Sequence, residues 1–174
     1  MPQFNSLSRY TFAATLIFSW SIATNAEESF PAELTGFSPG VSIPVFTAQG
    51  AGHWDVKIRE RGWILFDKNV EPGTPGWRMW YTGYDGTREG QKKLGLATSA
   101  DGVTWKPHPD NPIYQEAWIE DMMIVKKGKT YYMFAEGKGD QPFLLTSTDG
   151  IQWDSQGTLD VRLVNGKPIE KGPY

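Results

Sequence analysis

The sequence predicts an all-β chain built from repeated antiparallel units, and two observations support this prediction. First, residues 97–105 (ATSADGVTW) and 145–153 (LTSTDGIQW) repeat each other, with Thr98 and Thr146 at equivalent places. Second, segments rich in β-branched and aromatic residues alternate with Gly, Pro and Asp-Gly turns, and helical periodicity is confined to the first 26 residues. A long repeat made of strands and turns is typical of radially arranged β-structure.

The first unit contains strand signals in a regular order. Apolar and polar residues alternate over 54–59, Gly62 interrupts the pattern, and 63–66 resumes it. The segment 69–76 is predicted to be a loop because prolines and glycines are concentrated there. Further strands are predicted at 77–82, at 94–99 and from Thr104, and the Asp101-Gly102 pair predicts a turn with positive φ.

The second unit repeats this order with shorter connections. Its predicted strands are 121–125, 130–136, 143–147 and a last one from Gln152, with turns at 126–129 and at Asp149-Gly150. Residues 79–83 align with 133–137, Asp55 aligns with Asp121, and the first unit has insertions at 61–75 and 87–92. Each unit is therefore predicted to be four antiparallel strands, the usual content of a propeller blade.

The domain organisation follows from composition along the chain. Arg9, the apolar run 10–23 and the small residues before Ala26 predict a signal peptide at 1–26, which implies a secreted or periplasmic protein. An uncleaved anchor is the alternative, although the apolar run is short for a membrane span. Residues 27–52 form a lead-in, 53–174 form the propeller part, and its blades are 53–115 and 116–165, with the start of the next at 166–174.

Composition narrows the function. The formal net charge of −3, without clusters of Lys or Arg, argues against nucleic acid and against an anionic membrane surface as partners. The absence of cysteine excludes thiol nucleophiles and cysteine-bound metal centres. Eight tryptophans are a surplus that suits the stacking of sugar rings, although a β-core also uses aromatic residues.

Two strings carry a family resemblance. Residues 79–86 (MWYTGYDG) and 95–105 (GLATSADGVTW) resemble the five-bladed β-propeller glycoside hydrolases, which include families 43, 32, 62 and 68 and the related phosphorylase family 130. The resemblance covers about 54–153 and implies a partial five-bladed propeller that hydrolyses O-glycosidic bonds of a carbohydrate. Five blades need more residues than this chain has, so we expect an N-terminal part whose missing downstream blades are its partner.

The resemblance also implies where the catalytic carboxylates lie. It places one early in the inner strand of the first blade, a second at the matching place in the second blade, and a proton donor in the third. The matching residues are Asp55, expected as base or nucleophile, and Asp121, expected to tune the acid or stabilise the transition state. Asp55 could instead cap main-chain amides at a strand end. Glu136 is expected either to point into the central cavity or to make a structural hydrogen bond.

The remaining candidates are expected to bind substrate. Trp54 and Trp118 lie beside the candidate acids and could form sugar-stacking walls or belong to the core. His53 could line the cleft or lie on a solvated loop, and the two histidines, His53 and His108, are too far apart for a metal motif, so no metal and no cofactor are expected. Two other functional interpretations stay open: a non-catalytic carbohydrate-binding or scaffold propeller, and an inactive, poorly folded fragment.

Overall fold

The computed structural model describes residues 35–36, 38, 40, 42–59, 61–68 and 73–168. The chain divides into two units, Met1–Gly40 and Val41–Tyr174. In the first unit only four residues are described, and the predicted signal peptide at 1–26 lies outside them. Of the predicted start of a third blade at 166–174, the structure describes 166–168 alone. The fold that follows is that of the second unit.

The first sheet is antiparallel and contains five strands where four were predicted. These are β1 (Lys57–Ile58), β2 (Trp63–Phe66), β3 (Trp77–Tyr84), β4 (Lys93–Ser99) and β5 (Lys106–Pro107). Its order is β1-β3-β4-β5, and β2 also pairs with β3, so β1 and β2 are two pieces of one inner strand. The strand breaks because Ile58 pairs with Gly83 and Trp63 with Trp80, which leaves four residues facing two on β3.

The second sheet is a meander of four antiparallel strands, as predicted. Its strands are β6 (Glu120–Lys127), β7 (Thr130–Gly137), β8 (Gln141–Ser147) and β9 (Asp154–Thr158), paired in chain order. The inner strand β6 also contains a bulge, between Glu120 and Met123, where Asp121 has a φ of 43°. Both inner strands are therefore irregular near the same end of their sheets.

Alternation along β7 shows why the sheets pack together. Tyr131, Met133 and Ala135 are buried on one face, whereas the residues between them stay partly exposed. This buried face lies against β3, where Trp80 is fully buried, has its ring centroid 5.8 Å from that of Tyr131 and donates its Nε1–H to the Gly150 carbonyl at 2.9 Å. The two sheets are consequently neighbouring blades with one core between them.

An ion pair joins the blades beside this core. Asp67, which follows β2, is buried, and its Oδ2 lies 2.5 Å from Lys126 Nζ on β6. Tyr131 donates its hydroxyl to the same oxygen, and the Lys126 ammonium lies 4.6 Å from the centre of the Tyr131 ring. Because the partners come from different sheets, these contacts fix how the blades are placed against each other.

The two repeated turns have the predicted backbone. Gly102 has a φ of 76° and Gly150 a φ of 75°, which is the left-handed region that favours glycine. Ser99 Oγ accepts the Gly102 N–H at 2.8 Å, and Ser147 Oγ accepts the Gly150 N–H at 2.7 Å. The repeat seen in the sequence is thus a repeated turn structure, and the structural role of the two Asp-Gly pairs is confirmed.

Candidate functional site

A cavity of about 760 Å³ lies between the two sheets, at the end where β3 and β7 finish. It is lined by the residue after β1, by the connection that follows β3, by the start of β6 and by the β7–β8 turn. Charged groups of both signs line it: Arg59, Arg88, Glu89, Lys92, Glu120, Glu136, Lys138 and Asp140. Trp118 and Tyr84 are its large aromatic residues. A polar cleft with convergent acids is the most suitable place on this molecule for chemistry.

Two carboxylates of the cavity face each other across neighbouring strands. Glu120, the first residue of β6, pairs directly with Glu136 near the end of β7. Residues directly opposite in an antiparallel pair have Cβ atoms about 4.5–5.5 Å apart and point to the same side of the sheet. The register therefore brings two glutamates together at the mouth of the cavity.

Glu120 is held by a contact to each of its oxygens. Arg59 Nε forms an ion pair with Oε1 at 2.8 Å, and the Trp118 indole Nε1–H donates to Oε2 at 2.5 Å. The residue is buried, and these are contacts of the kind that a carboxylate makes. Glu120 thus has a fixed orientation in the cavity.

Glu136 has a different environment. Burial raises its pKa above the ordinary value, and the charge of Asp121 and a hydrogen bond with Asp140 raise it further. The charge of Glu120 acts in the same direction, as expected for two carboxyl groups that share a site. The pair therefore combines a firmly held carboxylate with a carboxyl group that keeps its proton to higher pH.

This shift in pKa has a consequence for stability. A carboxyl group whose pKa is raised by folding contributes stability below its unfolded-state pKa and loses that contribution as pH rises through the folded-state value. We therefore expect wild type to lose stability relative to Glu136→Gln as pH rises from 4 towards 8. Urea unfolding at several pH values measures this difference, with Glu116→Gln as the exposed control. A difference that does not change with pH would contradict the assignment.

Asp55 does not line this cavity. Its side chain is fully buried beneath β3, and Tyr81 donates its hydroxyl to Asp55 Oδ2 at 3.4 Å. Burial raises the pKa of Asp55, while hydrogen bonds from main-chain amides, Gln49 among them, act in the opposite direction. These contacts favour the capping role over the role of base or nucleophile, because a covered carboxylate cannot touch a substrate.

Asp121 also lies outside the lining of the cavity, but its charge reaches the site. Its carboxylate forms an ion pair with Arg61 at 2.7 Å, in the bulge of β6. The strand register corrects the alignment of Asp121 with Asp55. Arg59 donates its N–H to the Thr82 carbonyl, and Thr82 is the repeat equivalent of Glu136, so the residue that corresponds to Arg59 is Glu120.

The predicted binding residues separate into two groups. Trp118 and Glu136 line the cavity, but the Trp118 ring already contacts Lys92, whose Nζ lies 4.4 Å from the ring centre. Trp54 packs inside the first sheet, with its ring centroid 5.7 Å from that of Tyr81. His53 is exposed and is not part of the lining.

Four residues of the site were not predicted from the sequence: Arg59, Lys92, Glu120 and Asp140. Glu120 and Asp121 are adjacent on a strand and point to opposite faces, so only the register shows which of them faces Glu136. A weak signal for Lys92 was present, because it ends the insertion at 87–92.

The described ranges contain neither a metal-binding cluster nor a membrane-spanning helix. No group of three or more His, Cys, Asp or Glu side chains there could hold a metal ion. Among the same residues, no helix has the length and apolar character needed to span a membrane.

Comparison with known proteins supports the fold. No protein-family model matches the chain, and no curated protein matches it. A solved structure described as "Glycoside hydrolase" is similar with a TM-score of 0.55 and 22% identity, over 66% of this chain and 37% of that one. Another, described as a complex of BT0996 and RGII, has a TM-score of 0.54 and 23% identity over the same shares. The chain thus spans little more than a third of these structures, and the predicted fold, an all-β partial propeller, is confirmed.

Proposed function

We propose that this chain is the N-terminal, two-blade part of a glycoside hydrolase that cleaves O-glycosidic bonds in an oligosaccharide or polysaccharide. The observation that carries the proposal is the Glu120–Glu136 pair, because glycoside hydrolysis needs two carboxyl groups in different protonation states beside one bond. The similarity of the fold to a glycoside hydrolase structure supports it.

The roles of the two glutamates follow from their surroundings. Glu136, whose pKa is raised, is the general acid: it gives its proton to the leaving oxygen as the bond to the anomeric carbon breaks. Glu120, held by Arg59 and Trp118, is the carboxylate that attacks the anomeric carbon or removes a proton from the attacking water. Environments that separate the pKa values of paired carboxyl groups are a common basis for such a division.

Asp121 acts on this pair from outside the cavity. Its negative charge raises the pKa of Glu136, which is the tuning role expected for it from the sequence. In this proposal Glu120 takes the role that the sequence assigned to Asp55, and Asp55 supports the strand. Lys138 and Arg88 at the rim of the cavity would contact the bound sugar together with Trp118.

Further blades complete the propeller in this proposal. The outer face of the second sheet exposes apolar side chains, with Met123 and Val125 each 43% exposed. An apolar sheet face of this kind needs a partner, and a following blade would cover it as the second blade covers Trp80. Export by the predicted signal peptide is likewise part of the proposal.

Glu120→Gln in the full-length protein tests the proposed function. We expect kcat/KM to fall by at least about 1,000-fold on every glycan and every activated glycoside, because the negative charge at the anomeric carbon is lost. Release of reducing sugar from a panel of polysaccharides measures the activity, and Glu116→Gln, exposed and nearby in the chain, is the control.

Two outcomes would refute the proposal. Hydrolysis that survives Glu120→Gln would remove Glu120 from the mechanism. A wild-type protein that binds a glycan and never cleaves it would instead favour the non-catalytic carbohydrate-binding propeller.

A further inference from the structure

Lys92 is a buried cation at the end of the 87–92 insertion, and it lines the cavity while only 3% exposed. Its ammonium group donates to three main-chain carbonyls of the insertion itself. The acceptors are Gly90 at 2.8 Å, Arg88 at 3.2 Å and Thr87 at 3.5 Å. Burying an ammonium group is costly unless it is well paired, so this loop is shaped around the cation.

Two aromatic rings complete the surroundings of the ammonium group. Lys92 Nζ lies 4.2 Å from the centre of the Tyr84 ring and 4.4 Å from that of Trp118. A desolvated cation over an aromatic face is attracted by the negative face of the ring. The main chain adds a second link, because Ile119 donates its N–H to the Lys92 carbonyl at 3.0 Å. Lys92 therefore holds the segment that leads into β6 at two points.

The insertion is rigidly built around this cation. Asp85 Oδ1 accepts both the N–H and the hydroxyl of Thr87 at 2.8 Å, which closes the start of the loop. Gly90 lies so close to the Asp85 carboxylate that a Cβ atom at position 90 would overlap it. The carbonyl nearest to Lys92 thus depends on a glycine in a tightly packed place.

We propose that Lys92 is a positioning residue for Glu120, which it serves by fixing the Trp118 indole. The chain of contacts is short: the ammonium group lies on the ring, and the ring donates its Nε1–H to Glu120 Oε2 at 2.5 Å. Without the cation the indole can turn away from Glu120, which then keeps its contact to Arg59 and loses the one to Trp118. The catalytic part of this inference rests on the proposed function; the positioning part does not.

The positioning is tested by NMR of the Trp118 indole N–H. The resonance is identified by its loss in Trp118→Phe, and Glu120→Gln shows the shift that accompanies loss of the charged acceptor. Lys92→Met removes the cation and keeps most of the apolar stem, and we expect it to move the resonance in the same direction. Lys93→Met is the matched control: Lys93 is the next residue, lies outside the cavity lining, and should leave the resonance in place.

A second variant keeps the test decisive if Lys92→Met does not fold. Gly90→Ala leaves Lys92 intact but displaces the carbonyl nearest to it, so the same shift of the indole resonance is expected. A resonance that stays in place in the folded variants would overturn the proposal.

Kinetics of the full-length protein test the catalytic consequence. We expect Lys92→Met to lower kcat about tenfold with KM changed less than twofold, because a misplaced carboxylate affects the reaction more than binding. If Lys92 acts through Trp118, the double variant Lys92→Met/Trp118→Phe is no slower than Trp118→Phe alone. Independent, multiplying losses would overturn the proposal. Hydrolysis that survives Glu120→Gln would refute the proposed function, while the indole resonance would still report on Lys92.

Discussion

Glu136→Gln is expected to lower kcat on a natural glycan by at least about 1,000-fold while the protein stays folded. A general acid contributes about 10²–10⁴-fold when the leaving group is an alcohol that needs a proton. Glutamine keeps the size of the side chain and its place opposite Glu120, but it has no proton to give. The loss should therefore appear in the chemical step. Initial rates on an oligosaccharide, with Glu116→Gln as the control, measure it.

The leaving group decides whether Glu136 is the acid. A dinitrophenyl glycoside departs without protonation, so Glu136→Gln should cleave it within about tenfold of the wild-type rate. Glu120→Gln, in contrast, should lose both kinds of substrate. The pH profile gives a second criterion: wild-type activity should fall as pH rises through the raised pKa of Glu136, and the variant should lack this decline. Equal losses on both substrates would show that Glu136 is not the proton donor.

Trp80→Ala is expected to lower the free energy of unfolding by about 4 kcal/mol. Truncation of a buried tryptophan costs about 3–5 kcal/mol, and Trp80 is fully buried between the two sheets. Its ring contacts Tyr131 and Trp153, and its Nε1–H is bonded to the Gly150 carbonyl. Since these partners belong to the second blade, the change should uncouple the blades as well as weaken the first.

Urea unfolding followed by circular dichroism measures this effect, and Trp77→Ala is the matched control. Trp77 lies on the same strand but on its other face, where its ring contacts Phe66, a residue 59% exposed. We expect Trp77→Ala to cost less than half as much as Trp80→Ala. A loss below about 1 kcal/mol for Trp80→Ala would show that the blades do not depend on this contact.

Local chemistry made much of the fold predictable. The strand pattern of β7 follows from alternation of apolar side chains, and the positive φ of Gly102 and Gly150 follows from the need for glycine at those turns. The equivalence of 79–83 and 133–137 is confirmed by the register, because Met79 pairs with Ala97 as Met133 pairs with Leu145.

The candidate site was predictable only in part. Trp118 and Glu136 were recognised, since they lie close to the start and end of identifiable strands. Glu120 was passed over for Asp121, because a shift of one residue in a strand reverses the face to which a side chain points. Asp55 was favoured as a base, although its burial under β3 depends on contacts with Tyr81 that are distant in the chain.

The sequence alone determined the strands, the repeated turns and the all-β class, because each depends on residues that are neighbours along the chain. The tertiary structure alone decided that Glu120 faces Glu136, that Arg59 takes the place equivalent to Glu120, and that Lys92 lies on the Trp118 ring. These contacts join separate strands and loops. They depend on bulges and on strand register, which arise when the sheets pair and pack, and a one-dimensional pattern does not contain them.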